Sequence, residues 1–332
     1  MKNTRILVTG ANGFVGRHLC RILAAEGHTM TGFVRPGGDV SGMEAIRSLT
    51  LVTQVNYGDV GSYARLLGDI DVVVHLAARV HILNDTAPWP LAECRKVNVD
   101  ITRSLATAAA AAGVRRFVYV SSIKVNGETT ESRPFAPDDP PAFVDPYGQS
   151  KWEAEEAIHE SCAHSGMEWT VVRPPLVYGP GVRGNFLSLL RAVKRGLPLP
   201  LGGISNCRSL VSVFNLVDLL KTMLYHPRAA GQRFLVKDPE DVSTAELVRH
   251  VALGLHRSAR LVPIPANVLA AFGRICGYDE VITRLCASLV VNIEKTRNDL
   301  GWVAPMSLVE GIRNTCEWFN TATSDGVPWA TR

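Results

Sequence analysis

The sequence predicts an α/β protein: a doubly wound parallel sheet followed by a smaller C-terminal α/β lobe. Three observations point there. Short apolar runs alternate with segments of helical period as far as residue 174. The first run passes through a glycine-rich turn, Thr9-Gly10-Ala11-Asn12-Gly13-Phe14-Val15-Gly16, straight into the first helical segment. Beyond that the rhythm breaks, and prolines and glycines crowd together at Pro174, Pro175, Gly179, Pro180, Gly181 and Gly184. The expected division is residues 1–174 for the sheet domain and 175–332 for a substrate lobe. Strands near Leu210 and Phe234 are candidates to return to the main sheet.

Each element has its own signal. Arg5–Thr9 is apolar and closed by glycine, which reads as a buried strand. Val15, Leu19, Ile22 and Leu23 give Gly13–Glu26 a helical stripe, and Gly27 stops it. Thr29–Arg35, Leu51–Val55 and Asp71–Leu76 are the next strands. The last is continuously apolar, as in a strand covered on both faces. A long helix is expected over Leu91–Ala112, then a strand over Arg116–Ser121, a helix over Tyr147–Ser165 and a strand over Glu168–Arg173. In the C-terminal lobe, helices are expected near Asn185–Arg195, Asn215–Tyr225, Thr244–His256 and Leu308–Asn320, with a strand near Leu210–Phe214.

Composition excludes several classes. Hydrophobic residues make up 46% and charged residues 20% of the 332 residues, which supports a large core and argues against disorder. The 35 basic residues are scattered and the net charge is only +4, so no nucleic-acid footprint is expected. The seven cysteines are widely spaced with no CxxC pair, so free thiols are expected and no metal site. No apolar run reaches the length of a membrane span, and the first residues carry no signal-peptide pattern. The expectation is a cytoplasmic chain without a membrane partner.

The glycine turn has a physical purpose. A backbone that approaches a pyrophosphate closely needs glycines, and the helix start supplies free N–H groups and a favourable dipole. Gly10, Asn12, Gly13, Phe14, Val15 and Gly16 are therefore candidate contacts of a dinucleotide on a Rossmann sheet. The second strand ends at Arg35, with no acid until Asp39. An acid there would bond a ribose 2′-hydroxyl, whereas an arginine attracts a 2′-phosphate, so NADP(H) is favoured and NAD(H) is the alternative. Asp59 is a candidate for the adenine, or equally a helix cap. Val60, Leu76, Ala77, Ala78 and Pro174 complete the candidate cofactor contacts; the alanines are also read as plain close packing.

Tyr147 and Lys151 open a helix four residues apart, on one face. A phenol is a poor acid–base at neutral pH, and a neighbouring ammonium favours its ionised form. A hydroxyl at the end of the fifth strand would then bond the substrate oxygen. Pattern alone leaves Ser121 and Ser122 open.

These residues resemble the extended short-chain dehydrogenase/reductases, in their nucleotide-sugar epimerase/dehydratase branch. The resemblance runs through Thr9–Gly16, His75–Ala78, Val97–Val99, Val118–Glu128, Tyr147–Lys151, Arg173–Gly181 and Leu300–Trp302, nearly the whole chain. It implies a catalytic set of Ser122, Tyr147 and Lys151, because the hydroxyl lies three residues before Val125-Asn126-Gly127. It also implies a structural role for Asn98 and a UDP-sugar substrate. Arg208 is expected on the diphosphate, and Asn185 on the diphosphate or uracil. Lys124 is a candidate substrate contact, against a plain solvated lysine. Sugar dehydratases of the branch carry an Asp-Glu pair where this chain has Ile123 and Lys124, which disfavours dehydration. With Arg35, the resemblance implies an NADPH-dependent reductase of a UDP-linked 4-keto-sugar in surface polysaccharide biosynthesis. A UDP-sugar 4-epimerase is the first alternative and a non-catalytic cofactor sensor the second. A homodimer through the helices at 91–112 and 147–165 is expected, unless those helices simply pack on the sheet.

Overall fold

The computed structural model describes residues 4–53, 60–79, 88–277 and 279–324. Its centre is a seven-stranded, wholly parallel sheet in the order β3-β2-β1-β4-β5-β6-β9. These strands are β1 (Arg5–Thr9), β2 (Thr29–Val34), β3 (Leu49–Thr53), β4 (Val72–His75), β5 (Arg116–Val120), β6 (Glu168–Arg173) and β9 (Gln232–Leu235). The order reverses beside β1, so a crevice opens at the carboxyl ends of β1 and β4, where ligands of such sheets bind.

Successive side chains go to opposite faces, and each face has its own cover. Ile6, Val8, Val74, Val118 and Val172 pack with α1 (Phe14–Ala25) and α7 (Val213–Tyr225), and also with Trp302. Leu7, Val73, Phe117 and Val171 face α2 (Val60–Leu67), α4 (Ile101–Ala111) and α5 (Pro146–Cys162). A third cluster joins α6 (Gly184–Lys194), α8 (Thr244–Gly254) and α12 (Leu308–Ser324) in the C-terminal lobe.

The C-terminal half is woven into the sheet: β9 pairs with β6 through Val172 and Phe234. The strand near Leu210 does not join it. β8 (Leu210–Ser212) pairs instead with β7 (Leu176–Tyr178), because β7 leaves β6 immediately after Pro174-Pro175 and offers the nearer edge. β8 is also shorter than expected, since Ser212 caps α7 by accepting a hydrogen bond from Phe214 N.

The long helix expected over 91–112 is broken into α3 (Pro90–Arg95), a π-helical turn at Lys96–Asp100, and α4. The turn centres on Asn98, which is fully buried. Its side chain accepts from Arg79 N (2.7 Å) and donates to Arg79 O (3.1 Å) and Ser150 Oγ (2.9 Å). Widened helical turns of this kind accommodate such side-chain demands. The outer faces of α3, α4 and α5 carry the ion pairs Arg95–Glu153 and Arg103–Glu160. Among the described residues, no helix is long and apolar enough to cross a membrane.

Candidate active site

The turn after β1 is built as its glycines require. Gly10 has φ +64°, and a Cβ there would sit 2.9 Å from Ala77 N. A Cβ on Gly16 would lie 2.3 Å from Gly10 O, closer than real atoms approach. Phe14 and Val15 open α1, whose first turn has neither a side-chain cap nor an acid, so its N–H groups remain suited to an anion. The backbone of Leu76 and Ala77 is tied to the same turn, both N–H groups donating to Thr9 Oγ1 at 3.2 Å. Ala78 continues this half-buried wall, and Pro174 O accepts from Ile123 N (3.0 Å) across the β5 and β6 ends. This narrow cradle fits a dinucleotide.

Arg35 stands exposed one residue past β2. Asp39, the first acid after it, is already engaged: its carboxylate accepts from Ser41 Oγ (2.6 Å) and pairs with Arg17 (3.3 Å), and its pKa is held down mainly by Ser41. Asn12 donates to Asp39 O (3.1 Å). Arg17 was not singled out in the sequence. It is buried and straps the 39–41 segment to the glycine turn through Asn12 O, Ser41 O and Asp39 O. An arginine in an amphipathic helix reads as solvated, so no sequence signal marked it. Asp59 lies outside the described residues, as does the side chain of Val60, the first residue of α2.

The structure separates the two serines. Ser121 Oγ is buried and donates to Glu155 Oε1 (2.5 Å), so it is committed to the interior. Ser122 is half-buried, caps the short 3₁₀ turn Ile123–Val125 and reaches Tyr147. Burial and the Asp145 carboxylate raise the Tyr147 phenol pKa, and the Ser122 hydroxyl pulls it down. Lys151 differs from expectation. Its ammonium donates to Val120 O (2.8 Å) and Tyr119 OH (3.0 Å) rather than to Tyr147, because the end of β5 lies directly beneath it. Burial lowers its pKa to about 7, with Glu155 opposing the fall.

Lys124 also differs. Its ammonium is held by Glu128 (2.5 Å) and by Asp145, so the charge expected to meet substrate is already paired. Asp145 in turn caps α5 by accepting from Gly148 N (2.7 Å), which fixes the helix start that carries Tyr147. Lys124 thus offsets the negative charge nearest the phenol. Arg208 spends Nη1 on Arg284 O (2.6 Å) and Ala287 O (3.0 Å), at the end of α10 (Asp279–Cys286). Asn185 is exposed on the first turn of α6. Ser122 meets Tyr147, and Lys151 lies one turn along the same helix; Arg208 connects towards them through Arg284, Glu128 and Lys124.

His75, at the end of β4, bridges Thr9 Oγ1 (2.6 Å) and Thr102 Oγ1 (2.8 Å) and stacks on Tyr119. Full burial pushes its pKa down to about 3. The unfolded chain therefore binds more protons between pH 6.5 and 3, and stability falls as pH drops through that window. Each pH unit of it costs about 1.4 kcal/mol. In urea unfolding at pH 7 and pH 4, His75→Asn is expected to show a smaller acid loss than the wild type; equal losses would contradict this.

A model of the NAD dependent epimerase/dehydratase family matches residues 6–236. Over 329 residues the chain is 41% identical to a UDP-glucose 4-epimerase of Vibrio cholerae, with 96% of each chain covered. It is 27% identical over 337 residues to the N-acetyl-alpha-D-glucosaminyl-diphospho-ditrans,octacis-undecaprenol 4-epimerase of Escherichia coli O157:H7, covering 95% of both. Among solved structures, MoeE5 in complex with UDP-glucose and NAD aligns with a TM-score of 0.75 at 26% identity, over 96% of this chain and 99% of that one. Sheet, glycine turn and Ser-Tyr-Lys cluster define the extended short-chain dehydrogenase/reductase class of enzymes. Within it, the chain belongs to the NAD dependent epimerase/dehydratase family.

Proposed function

We propose that the chain moves a hydride at C4 of a UDP-linked sugar, and that its net reaction is NADPH-dependent reduction of a 4-keto group. The substrate type is a UDP-2-acetamido-2,6-dideoxy-hexos-4-ulose made for surface polysaccharide. The observation that carries the direction is Arg35, exposed where an NAD-preferring chain would place an acid, with the Asp39 carboxylate already engaged by Ser41 and Arg17. The nicotinamide, when bound, supplies the hydride. Tyr147 gives the proton to the oxygen on C4, and Ser122 hydrogen-bonds that oxygen. Lys151, poised near neutrality, is the group that would hold the nicotinamide ribose. Arg208 grips the diphosphate with its remaining donors, and Asn185 stands at the mouth of the same lobe. The assembly expected is a homodimer.

A second reading, a UDP-sugar 4-epimerase holding NAD, draws on the 41% identical Vibrio relative and on the NAD bound to MoeE5. In the E. coli relative's named substrate a polyprenyl chain carries the diphosphate, so the diphosphate is the shared handle. The test is titration of the purified protein with NADPH and NADH, then cofactor absorbance on adding a UDP-4-keto-6-deoxy-hexosamine. Preferential NADPH binding and stoichiometric oxidation are expected. Arg35→Asp is expected to cost about tenfold in NADPH affinity, the size of one lost charge-assisted hydrogen bond. Tightly held NAD, no net oxidation and interconversion of UDP-sugars would replace this reading with the epimerase.

A further inference from the structure

Lys151 ends a buried chain of hydrogen bonds that starts at the glycine turn, and the proton on each link can be assigned. Thr9 Oγ1 accepts from the N–H groups of Leu76 and Ala77, so its own proton goes to His75 Nδ1 (2.6 Å). His75 is held neutral by burial and therefore carries its one proton on Nε2, which it donates to Thr102 Oγ1 (2.8 Å). Thr102 gives its hydroxyl proton to Asn98 O (2.7 Å). Its oxygen is thus an acceptor for the Tyr119 hydroxyl as well. Tyr119, 1% exposed and stacked on His75, keeps an oxygen lone pair, which accepts from Lys151 Nζ (3.0 Å).

The protons of Lys151 are then spoken for. An ammonium has three, and Tyr119 OH and Val120 O take two. We propose that Tyr119 is a positioning residue for this lysine: its oxygen, aimed by Thr102, favours the ammonium and leaves it one N–H for a ligand hydroxyl. This rests on the reading that Lys151 holds the cofactor ribose, whose hydroxyls are that ligand. A neutral amine has two protons, and the same two acceptors would use both. The hold on the ribose therefore needs the charged lysine and fades as pH rises through the lysine pKa of about 7.

Among the described residues, the titratable groups around Lys151 are Tyr119 on β5, His75 on β4, and Tyr147 and Glu155 on α5. Glu155 opposes the downward push of burial on the lysine. Burial raises the pKa of both phenols, so Tyr119 acts as a neutral acceptor and not as a counter-charge. The ammonium also lies 4.4 Å from the centre of the Tyr119 ring. Phenylalanine would keep that ring contact, so Tyr119→Phe isolates the oxygen.

The test is an NMR titration of the cofactor-free full chain with isotope-labelled lysine Cε, the Lys151 signal being identified by its loss in Lys151→Met. Tyr119→Phe is expected to lower the Lys151 midpoint by about one pH unit, a tenfold change in its protonation equilibrium. Thr102→Val is expected to lower it too, and to add nothing once residue 119 is phenylalanine, because its effect passes through that oxygen. In the unaltered chain, a tyrosine Cζ signal that persists in Tyr147→Phe should step at the Lys151 midpoint without ionising. This last readout stands even if the core variants fail to fold. A midpoint unmoved or raised in Tyr119→Phe, full additivity of the two variants, or no such step would overturn the proposal. In the sugar assay, Tyr119→Phe should bring the alkaline fall of kcat to lower pH with KM for the sugar unchanged, and an alkaline fall that stayed in place would overturn the link to the ribose. If no variant and no wild type turned over the keto-sugar, the proposed reaction would fail, while the titration would still decide the role of Tyr119.

Discussion

Replacing Tyr147 with phenylalanine is expected to lower turnover at least a hundredfold, the usual worth of a positioned proton donor, while leaving cofactor affinity within a few-fold of the wild type. The geometry separates the two effects. Tyr147 lies at the start of α5, held by the Asp145 cap, and only its hydroxyl faces Ser122. Phenylalanine keeps the ring and its packing and removes the one group able to pass a proton to the substrate oxygen. The cofactor cradle is formed elsewhere, by Gly10, Gly13 and Gly16 against Ala77. Single-turnover assays together with cofactor titration would check this. Turnover within tenfold of the wild type would remove Tyr147 from the chemistry. Because burial and Asp145 both hold the phenol protonated, the free enzyme presents it as an acid, the form a reductase needs.

The second large effect is structural. Glu155→Ala is expected to cost about 3–5 kcal/mol, the typical penalty for stranding a buried partner charge. Glu155 is fully buried one turn beyond Lys151 and is the hub of four hydrogen bonds. Its Oε1 accepts from Ser121 Oγ (2.5 Å) and Arg173 Nε (2.9 Å), and its Oε2 from Arg173 Nη2 (2.7 Å) and Arg233 Nε (2.9 Å). Arg173 is 1% exposed and would be left in the interior with Asn126 Oδ1 and Pro137 O as its remaining acceptors. A fall in melting temperature of roughly 4–7 °C follows. Glu156→Ala, one residue on, removes only a partly exposed contact with Arg233 and should cost less than about 1 kcal/mol. If the two variants melted alike, the hub would carry no special weight.

The sequence showed the parts of this molecule that depend on local pattern. β1 and β6 have the bounds the apolar runs predicted, and α1 and α5 begin within a residue of theirs, because period and punctuation act over short spans. The glycine turn was legible for the same reason. What was hidden depends on partners far along the chain. Ser121 and Ser122 are adjacent and alike; spacing along the strand left them open, the family resemblance pointed to Ser122, and the bond to Glu155, 34 residues from Ser121, is what commits Ser121 to the interior. Lys151 was matched to Tyr147 by helix spacing, yet the carbonyl and hydroxyl that take its protons belong to β5. Lys124 and Arg208 read as free charges because their acceptors lie up to 79 residues away. The break at Asn98 was invisible, since the residues around it have good helical character and the cause is the backbone of Arg79. The hairpin of α9 (Ala266–Cys276) and α10 escaped because Gly273 and Gly277 interrupt its apolar period.

The late arrival of β9 has a consequence for biosynthesis. One face of the sheet, lined by Ile6, Val8, Val74 and Val118, is covered in part by α1, and its closure is completed by α7, Phe234 and Trp302, three late elements. All three leave the ribosome after the first six strands. At about 5–20 residues per second, the stretch from β6 to Trp302 takes roughly 6–26 s to emerge, and over that interval the cover of this face is incomplete. Truncation before Trp302 should yield an insoluble product even though the glycine turn and the Ser-Tyr-Lys cluster are already complete.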